Sequence, residues 1–127
     1  IHEKPSFKQA KRCVFIMDGW FEWKRYFDWK RRENTKDPYY HHLNSNLIYA
    51  AGLYNDCGCV CVTKEAVKPM SEIHNRQPLL LEEDQVQKWL IGDYILRDKI
   101  SSNIQIHKVS TYVNSPRNND YKCIQPI

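Results

Sequence analysis

Most strand-like segments of this chain come before its helix-like segments, and this order constrains the fold more than any other feature. The strand-like segments are short apolar or alternating runs, bounded by charged residues, glycine or proline. They lie at 12–18, 20–24, 38–42, 46–54, 57–63 and 104–109. Because strands and helices do not alternate regularly, the order predicts an α+β fold with a curved, largely antiparallel, barrel-like sheet core and flanking helices.

Two segments have helical features. The segment "LEEDQVQKWL" at 81–90 has acids in its first turn and an apolar stripe of Val86, Trp89 and Leu90, which predicts a helix. A second short helix is expected over 93–100, "DYILRDKI". The charged stretch 25–36 has two interpretations, a solvated hairpin loop or a dedicated phosphate-binding loop.

The bulk composition is that of one ordinary domain. The chain has 127 residues, of which 42% are hydrophobic and 27% charged, so we expect a single domain spanning 1–127. A net charge of +4 is compatible with an acidic partner. The sequence contains no apolar run long enough for a membrane span and no secretory signal, so an intracellular protein without a membrane partner is expected.

The five cysteines do not form a recognisable framework. They are Cys13, Cys57, Cys59, Cys61 and Cys123. An odd number, with three members in "CGCVC", is unlike a disulfide scaffold, and the spacing is unlike a zinc knuckle. We therefore expect buried thiols in a reducing compartment, and neither a metal nor another cofactor.

The stretch "DGWFEWK" at 18–24 contains the most unusual titratable group of the sequence. Strand alternation places Trp20, Glu22 and Lys24 on one side, and Phe21 and Trp23 on the other. A carboxylate among large rings is costly to ionise unless it is paired or its altered acidity is used. Glu22 is therefore a candidate catalytic acid or base.

His74 is the second candidate, in "EIHNRQP". A lone histidine on a loop is most often surface polarity. The spacing to Arg76 also suits a proton carrier beside a phosphate anchor, because arginine binds phosphate with a planar fork. His41 and His42 are neighbours in a predicted strand, face opposite ways and are not expected to share a metal.

Several segments of the chain are informative when they are taken in order: "EKPSFKQAKRCVFIMDGWFEWKR", "PYY", "AAGLY", "VTKEA", "IHNRQP", "WL" and "VSTYVNSPRNND". In this order and spacing they resemble the SRAP family, the SOS-response-associated peptidase-like proteins that shield abasic sites in single-stranded DNA. The resemblance covers nearly the whole chain. Its most specific pieces are the block from Arg12 to Trp23 and the His-x-Arg-x-Pro block.

The resemblance implies a covalent chemistry. Family members expose a cysteine as their first residue, whose amine and thiolate together form a thiazolidine with the ring-opened abasic sugar. Glu22 and His74 fall on the family's active-site positions, and Thr63 and Arg76 fall on positions expected near the DNA backbone. Trp20 and Trp23 are candidates for stacking on single-stranded DNA, with core packing as the alternative.

Two departures from the family are visible. The family's N-terminal segment, with the nucleophilic cysteine, is missing from this chain, and none of the five cysteines present replaces it. Gln77 stands where the family often has methionine. The sequence alone is thus expected not to crosslink unless the missing segment is supplied.

The resemblance and the residue patterns together predict a monomer that binds abasic sites in single-stranded DNA, in the cytoplasm of a prokaryote or the nucleus of a eukaryote. In the full-length protein it would form the crosslink. A non-catalytic module for single-stranded nucleic acid that has lost the nucleophile is the alternative. A peptidase limited to self-processing is the third possibility.

Overall fold

The computed structural model describes residues 9–93, 95 and 98–127. The elements in this part of the chain are nine strands, one α-helix and four short 3-10 helices. The strands are β1 (Lys11–Met17), β2 (Gly19–Asp28), β3 (Glu33–His42), β4 (Ile48–Asn55), β5 (Gly58–Cys61), β6 (Thr63–Glu65), β7 (Arg76–Pro78), β8 (Leu80–Leu81) and β9 (Gln105–Lys108), and the helix is α1 (Glu83–Leu90). The 3-10 helices are Met70–Glu72, Ser101–Asn103, Thr111–Asn114 and Tyr121–Cys123.

The strands form three antiparallel sheets. The first has the order β1-β4-β5, with β8 also paired to β4; the second has the order β2-β3-β9; the third is the pair β6-β7. The predicted α+β fold with antiparallel sheets is confirmed. The expected barrel-like closure does not occur among the described strands, whose pairing leaves the sheets separate.

The first sheet packs against other elements on both faces. One face joins the second sheet in an apolar cluster, to which Phe15, Met17, Trp20 and Ile106 contribute from the strands and their edges. The opposite face packs against α1. The buried residues of this second cluster are Ala51, Leu53, Val62, Leu81 and Trp89. These two faces explain why β4 is apolar along nearly its whole length.

The helix α1 forms where the sequence predicts one. Gln85 and Glu82 complete a capping box at its start, and Glu83 and Asp84 lie in its first turn, which suits the positive end of the helix dipole. Trp89 is buried and its indole N–H donates to the carbonyl of Cys13 at 2.8 Å. The predicted apolar stripe is wrong for Leu90, whose side chain is exposed, because the helix covers the sheet only with its other flank.

The hairpin β2–β3 is longer than its composition suggests. The charged stretch 25–36 is not a loop, because the ladder continues to the pair Asp28–Glu33 and only residues 29–32 form the turn. The Asp28 carboxylate accepts from the backbone N–H groups of Lys30 and Arg31 and so stabilises the turn.

Two further points concern helices: the second helix that the sequence predicts, and the possibility of a membrane-spanning helix. The second predicted helix, over 93–100, lies partly outside the described residues. No helix in the part of the chain described above has the length and apolar character needed to cross a lipid bilayer.

Candidate active site

Glu22 lies in the middle of β2, directly opposite Tyr39 of β3. As alternation predicts, it shares the face of Trp20, which packs into the cluster between the two large sheets. Its side chain is half-buried, and this burial raises the pKa of the carboxyl group above its usual 4.5, while the nearby charge of His74 lowers it. The carboxyl group therefore holds its proton more tightly than a solvated acid does.

His74 lies between the 3-10 helix Met70–Glu72 and β7. Its backbone N–H donates to the carbonyl of Met70 at 3.1 Å, which fixes the loop. Its Nδ1 is 3.1 Å from the backbone N of Arg76 and 3.2 Å from the carbonyl oxygen of the same residue. A neutral ring whose Nδ1 accepts from Arg76 carries its proton on Nε2, and that nitrogen is then a donor for a ligand.

The small sheet β6–β7 holds Thr63 and Arg76 together. The Nη2 atom of Arg76 donates to the carbonyl of Thr63 at 3.0 Å and lies 3.2 Å from its hydroxyl oxygen. Both side chains are exposed. Among the described residues, Nε and Nη1 of Arg76 have no hydrogen-bond acceptor, so these donors are available at the surface, where a phosphate can be bound.

The two tryptophans occupy different environments. Trp20 stacks on the buried ring of His41 with centroids 4.8 Å apart, and it contacts the apolar cluster between the sheets. This is the core packing that the sequence leaves open as an alternative. Stacking of Trp20 on DNA remains a prediction, and it would require this packing to change.

Trp23 lies on the face of β2 opposite to Glu22. Its indole N–H donates to the Asn114 side chain at 2.8 Å, and the Lys36 ammonium lies 5.9 Å from its ring centroid. The structure thus brings Glu22 near His74 and Thr63 near Arg76, but it does not place Trp23 on the same side of the hairpin as the acid.

Local sequence patterns miss several contacts around the site. Tyr39 is the cross-strand neighbour of Glu22. The alternation of side chains in "PYY" does not reveal this contact unless the pairing of β2 with β3 is already known. Asn114 fixes the Trp23 ring. Gln77, visible in the sequence only as a departure from the family, is fully buried, and its side chain accepts from the backbone N–H of Val67.

The cysteines are not uniformly buried, so the expectation of buried thiols is wrong for most of them. Cys57 and Cys59 are exposed, Cys13 and Cys61 are half-buried, and only Cys123 is buried, because the "CGC" segment forms the β4–β5 turn and the start of β5. Burial raises the pKa of Cys61 to about 11, so its thiol is a poor nucleophile. In the described part of the chain, no group of three or more histidine, cysteine or acidic side chains is arranged to hold a metal ion.

Comparison with known proteins identifies the class. Residues 1–116 match the SOS response associated peptidase (SRAP) family, and the chain belongs to this family. It is 34% identical to the abasic site processing protein YoaM of Bacillus subtilis over 94% of the chain and 60% of the relative. It is 31% identical to the abasic site processing protein HMCES of Xenopus tropicalis, over 98% of the chain and 46% of the relative.

The chain spans about half to two thirds of the length of the curated relatives it matches. A phage-related protein of Bordetella bronchiseptica has a similar structure, with a TM-score of 0.57 at 22% sequence identity, over 81% of this chain and 56% of that one. This likeness supports the fold.

Proposed function

We propose that this chain recognises abasic sites in single-stranded DNA, and that the full-length protein forms a covalent adduct with them through an N-terminal cysteine. Membership of the SRAP family and the names of its relatives as abasic site processing proteins support this proposal. The observation that carries it is Glu22, a half-buried carboxyl group on β2 with a raised pKa, which lies close enough to His74 to feel its charge.

The chemistry requires proton transfers that this pair can provide. The amine of the cysteine adds to the aldehyde carbon of the ring-opened sugar and forms a carbinolamine. The hydroxyl group of this carbinolamine is then protonated and leaves as water, which gives an imine. The thiol sulfur then adds to the carbon of the imine, and the nitrogen receives a proton. A half-buried acid that holds its proton more tightly than a solvated one can protonate the departing oxygen, and a histidine beside it can relay protons through Nε2.

Thr63 and Arg76 are proposed to hold the DNA backbone beside this pair. The Thr63 contacts hold the guanidinium in place at the surface, and its remaining donors match a phosphate oxygen pair. Trp20 and Trp23 are proposed as additional DNA contacts, with Trp23 reached from the outer side of the hairpin. The proposed function also requires the protein to reach genomic DNA, and therefore an intracellular location.

The test is incubation of the full-length protein with a single-stranded oligonucleotide containing one abasic site, followed by denaturing electrophoresis. We expect a heat-stable adduct, and none with the intact oligonucleotide. Binding that prefers the abasic strand without any adduct would support the non-catalytic module instead. Equal binding of both strands would contradict the proposal, and cleavage of unrelated peptides would point to a peptidase.

A further inference from the structure

The outer half of the β2–β3 hairpin, residues 24–37, extends beyond the rest of the second sheet. We call it the hairpin arm. The strand β9 pairs with β3 only over Tyr39–His42, so the β3 half of the arm pairs only with β2 among the described strands. Most of the arm's side chains are exposed. The arm is therefore a two-stranded ribbon whose faces are open to a partner.

The arm carries most of the net positive charge of the chain. It contains six basic and three acidic residues, a net charge of +3, against +4 for the whole chain. A concentration of basic residues in a short ribbon favours a polyanionic partner over a neutral one.

The charges are divided unequally between the two faces of the ribbon. Acidic side chains lie on the face of Glu22, where Asp37 forms an ion pair with Lys108 at 3.2 Å and Asp28 lies opposite Glu33. Along the ladder, the opposite face carries no acid. Its members are Trp23, Arg25, Phe27, Asn34 and Lys36, which follow from the register of the ladder.

Aromatic rings continue this second face to the tip. Phe27 packs edge-on against Trp29 with centroids 4.7 Å apart, yet their side chains are 41% and 82% exposed. A surface depression of about 620 Å³ lies along the arm, lined by Arg25, Phe27, Asn34 and Lys36 of this face and by Tyr26 and Thr35 of the other. Two exposed rings held together beside cations, on a face without acids, are unusual for a surface that contacts only water.

We propose that this outer strip, formed by Arg25, Phe27, Trp29 and Lys36, binds a stretch of unpaired nucleic-acid strand outside the lesion site. Arg25 and Lys36 contact phosphates, and Phe27 and Trp29 stack on bases, which every unpaired base permits whatever its sequence. The identity of the strand, as the DNA that flanks the abasic site, rests on the proposed function.

The geometry makes this contact separate from the candidate active site. Trp29 lies seven residues beyond Glu22 along the hairpin, a distance of about 20 Å at the rise of an extended strand. The strip also faces away from Glu22. A short oligonucleotide that fills the site does not reach the tip, whereas a longer strand can occupy both.

The experiment compares intact oligonucleotides of two lengths, about 4 and about 16 nucleotides, by fluorescence anisotropy. We expect Phe27→Ala with Trp29→Ala to weaken binding of the long strand about tenfold or more, because each stacked base contributes about 1–3 kcal/mol. Binding of the short strand should be unchanged. The affinity falls as salt rises, and Arg25→Ala with Lys36→Ala should make this dependence shallower. The magnitude of the slope of log affinity against log salt should decrease by about 0.7 for each phosphate that is no longer bound.

Tyr121→Ala is the matched control, since this aromatic side chain is 70% exposed and lies outside the arm. Trp29→Phe should retain most of the long-strand affinity. The inference is overturned if the double aromatic variant binds the long strand as tightly as the Tyr121→Ala control. It is also overturned if the variant loses equal affinity for a duplex of the same length, whose bases offer no free faces.

The two proposals fail separately. If the parent protein binds a short abasic oligonucleotide no more tightly than a short intact one, the proposed function is contradicted. The length-dependent effect on intact strands tests the strip, whether or not an adduct forms. Circular dichroism of each variant confirms that the exposed substitutions leave the fold intact, and Trp29→Ala alone provides a milder variant.

Discussion

Glu22 combines two properties that a solvated acid lacks, a half-buried position on a strand and a raised pKa. Its folded-state pKa lies above the unfolded value, so the folded protein binds this proton more tightly than the unfolded chain. Ionised Glu22 therefore destabilises the fold above its folded pKa, and this penalty disappears below the unfolded value. His74 reduces the penalty without removing it.

We accordingly predict that Glu22→Gln raises the melting temperature at pH 8 by a few degrees. The gain should shrink towards pH 4, where the native carboxyl group is protonated. Differential scanning calorimetry at both pH values measures it. Glu72→Gln, an exposed acid near His74, is the control and should show no such gain; a Glu22→Gln protein that is less stable at pH 8 contradicts the argument.

Gln77 stands where the family resemblance leads us to expect methionine, and its contacts show what the amide group provides. Its Oε1 accepts from the Val67 N–H at 2.9 Å, and its Nε2 donates to the Ser101 hydroxyl at 2.9 Å. The side chain thus joins β7 to the loop after β6 and to the 3-10 helix Ser101–Asn103.

Substitution of Gln77 by methionine is predicted to lower the free energy of unfolding by about 1–3 kcal/mol, because the Val67 N–H loses its acceptor. Urea denaturation measures the change. Gln87→Met on the exposed side of α1 changes the same atoms in solvent and should stay within about 0.5 kcal/mol of the parent. Equal effects at the two positions would show that the buried hydrogen bonds contribute nothing.

At the scale of elements, Arg12 connects the first sheet to the helix. Its guanidinium stacks on the Trp89 ring at 3.9 Å, and its Nη1 donates to the carbonyls of Trp89 and Asp93 at 3.0 and 2.9 Å. A cation at this place satisfies carbonyls at the helix C-terminus and suits its negative dipole end. The arginine in the "RC" motif thus has a structural role.

Arg12→Ala is predicted to destabilise the fold by about 1–3 kcal/mol, since the carbonyls of Trp89 and Asp93 lose the charged donor of Arg12 and the indole ring loses its stacked cation. Arg12→Lys keeps the charge but not the planar stacking, and should recover only part of the stability. Chemical denaturation measures the differences, with Lys11→Ala on the exposed side of β1 as the control. An Arg12→Ala protein as stable as this control would rule out the capping role.

The whole molecule should be sensitive to acid because of a buried histidine. His41 is fully buried and stacks on Trp20, and burial lowers its pKa from 6.5 to about 4. Between these values the unfolded chain binds the proton and the folded protein does not. Stability therefore falls as pH decreases from 6.5 to 4, and the loss is complete below 4.

This histidine alone is predicted to reduce the free energy of unfolding by about 3 kcal/mol between pH 7.5 and pH 4. The variant His41→Phe fills the same stacked position without titrating, so its pH dependence in this window should be flatter by that amount. Urea titrations of both proteins across the window test the difference. Parallel curves would mean that His41 does not control acid stability.

Sequence patterns identify the parts of this fold that depend on local features. The apolar runs of β1 and β4 and the acidic first turn of α1 are sufficient to predict those elements. The arm of the β2–β3 hairpin escapes such a prediction because its polar composition indicates a loop, whereas cross-strand pairing and the Asp28 turn extend the ladder. Closure of the sheets depends on pairing between distant strands, which periodicity does not report.

The candidate site is predictable in part for the same reason. Alternation places Glu22 and Trp23 on opposite faces of one strand, and the family resemblance selects Glu22 and His74. The proximity of these two residues depends on how β2 and the loop before β7 pack, which no local pattern encodes. The partners of Gln77 come from positions 67 and 101, so its buried hydrogen bonds are equally invisible in the sequence.

The most direct test of the proposed site is the rate of adduct formation between full-length protein and an abasic oligonucleotide, compared for Glu22→Gln, His74→Ala and Glu72→Gln. General acid–base groups contribute about a hundredfold or more to such rates. We predict losses of that size for Glu22→Gln and His74→Ala, and a rate close to the parent for Glu72→Gln. Rates for all three variants equal to that of the parent would contradict the assignment of Glu22 and His74 to the reaction.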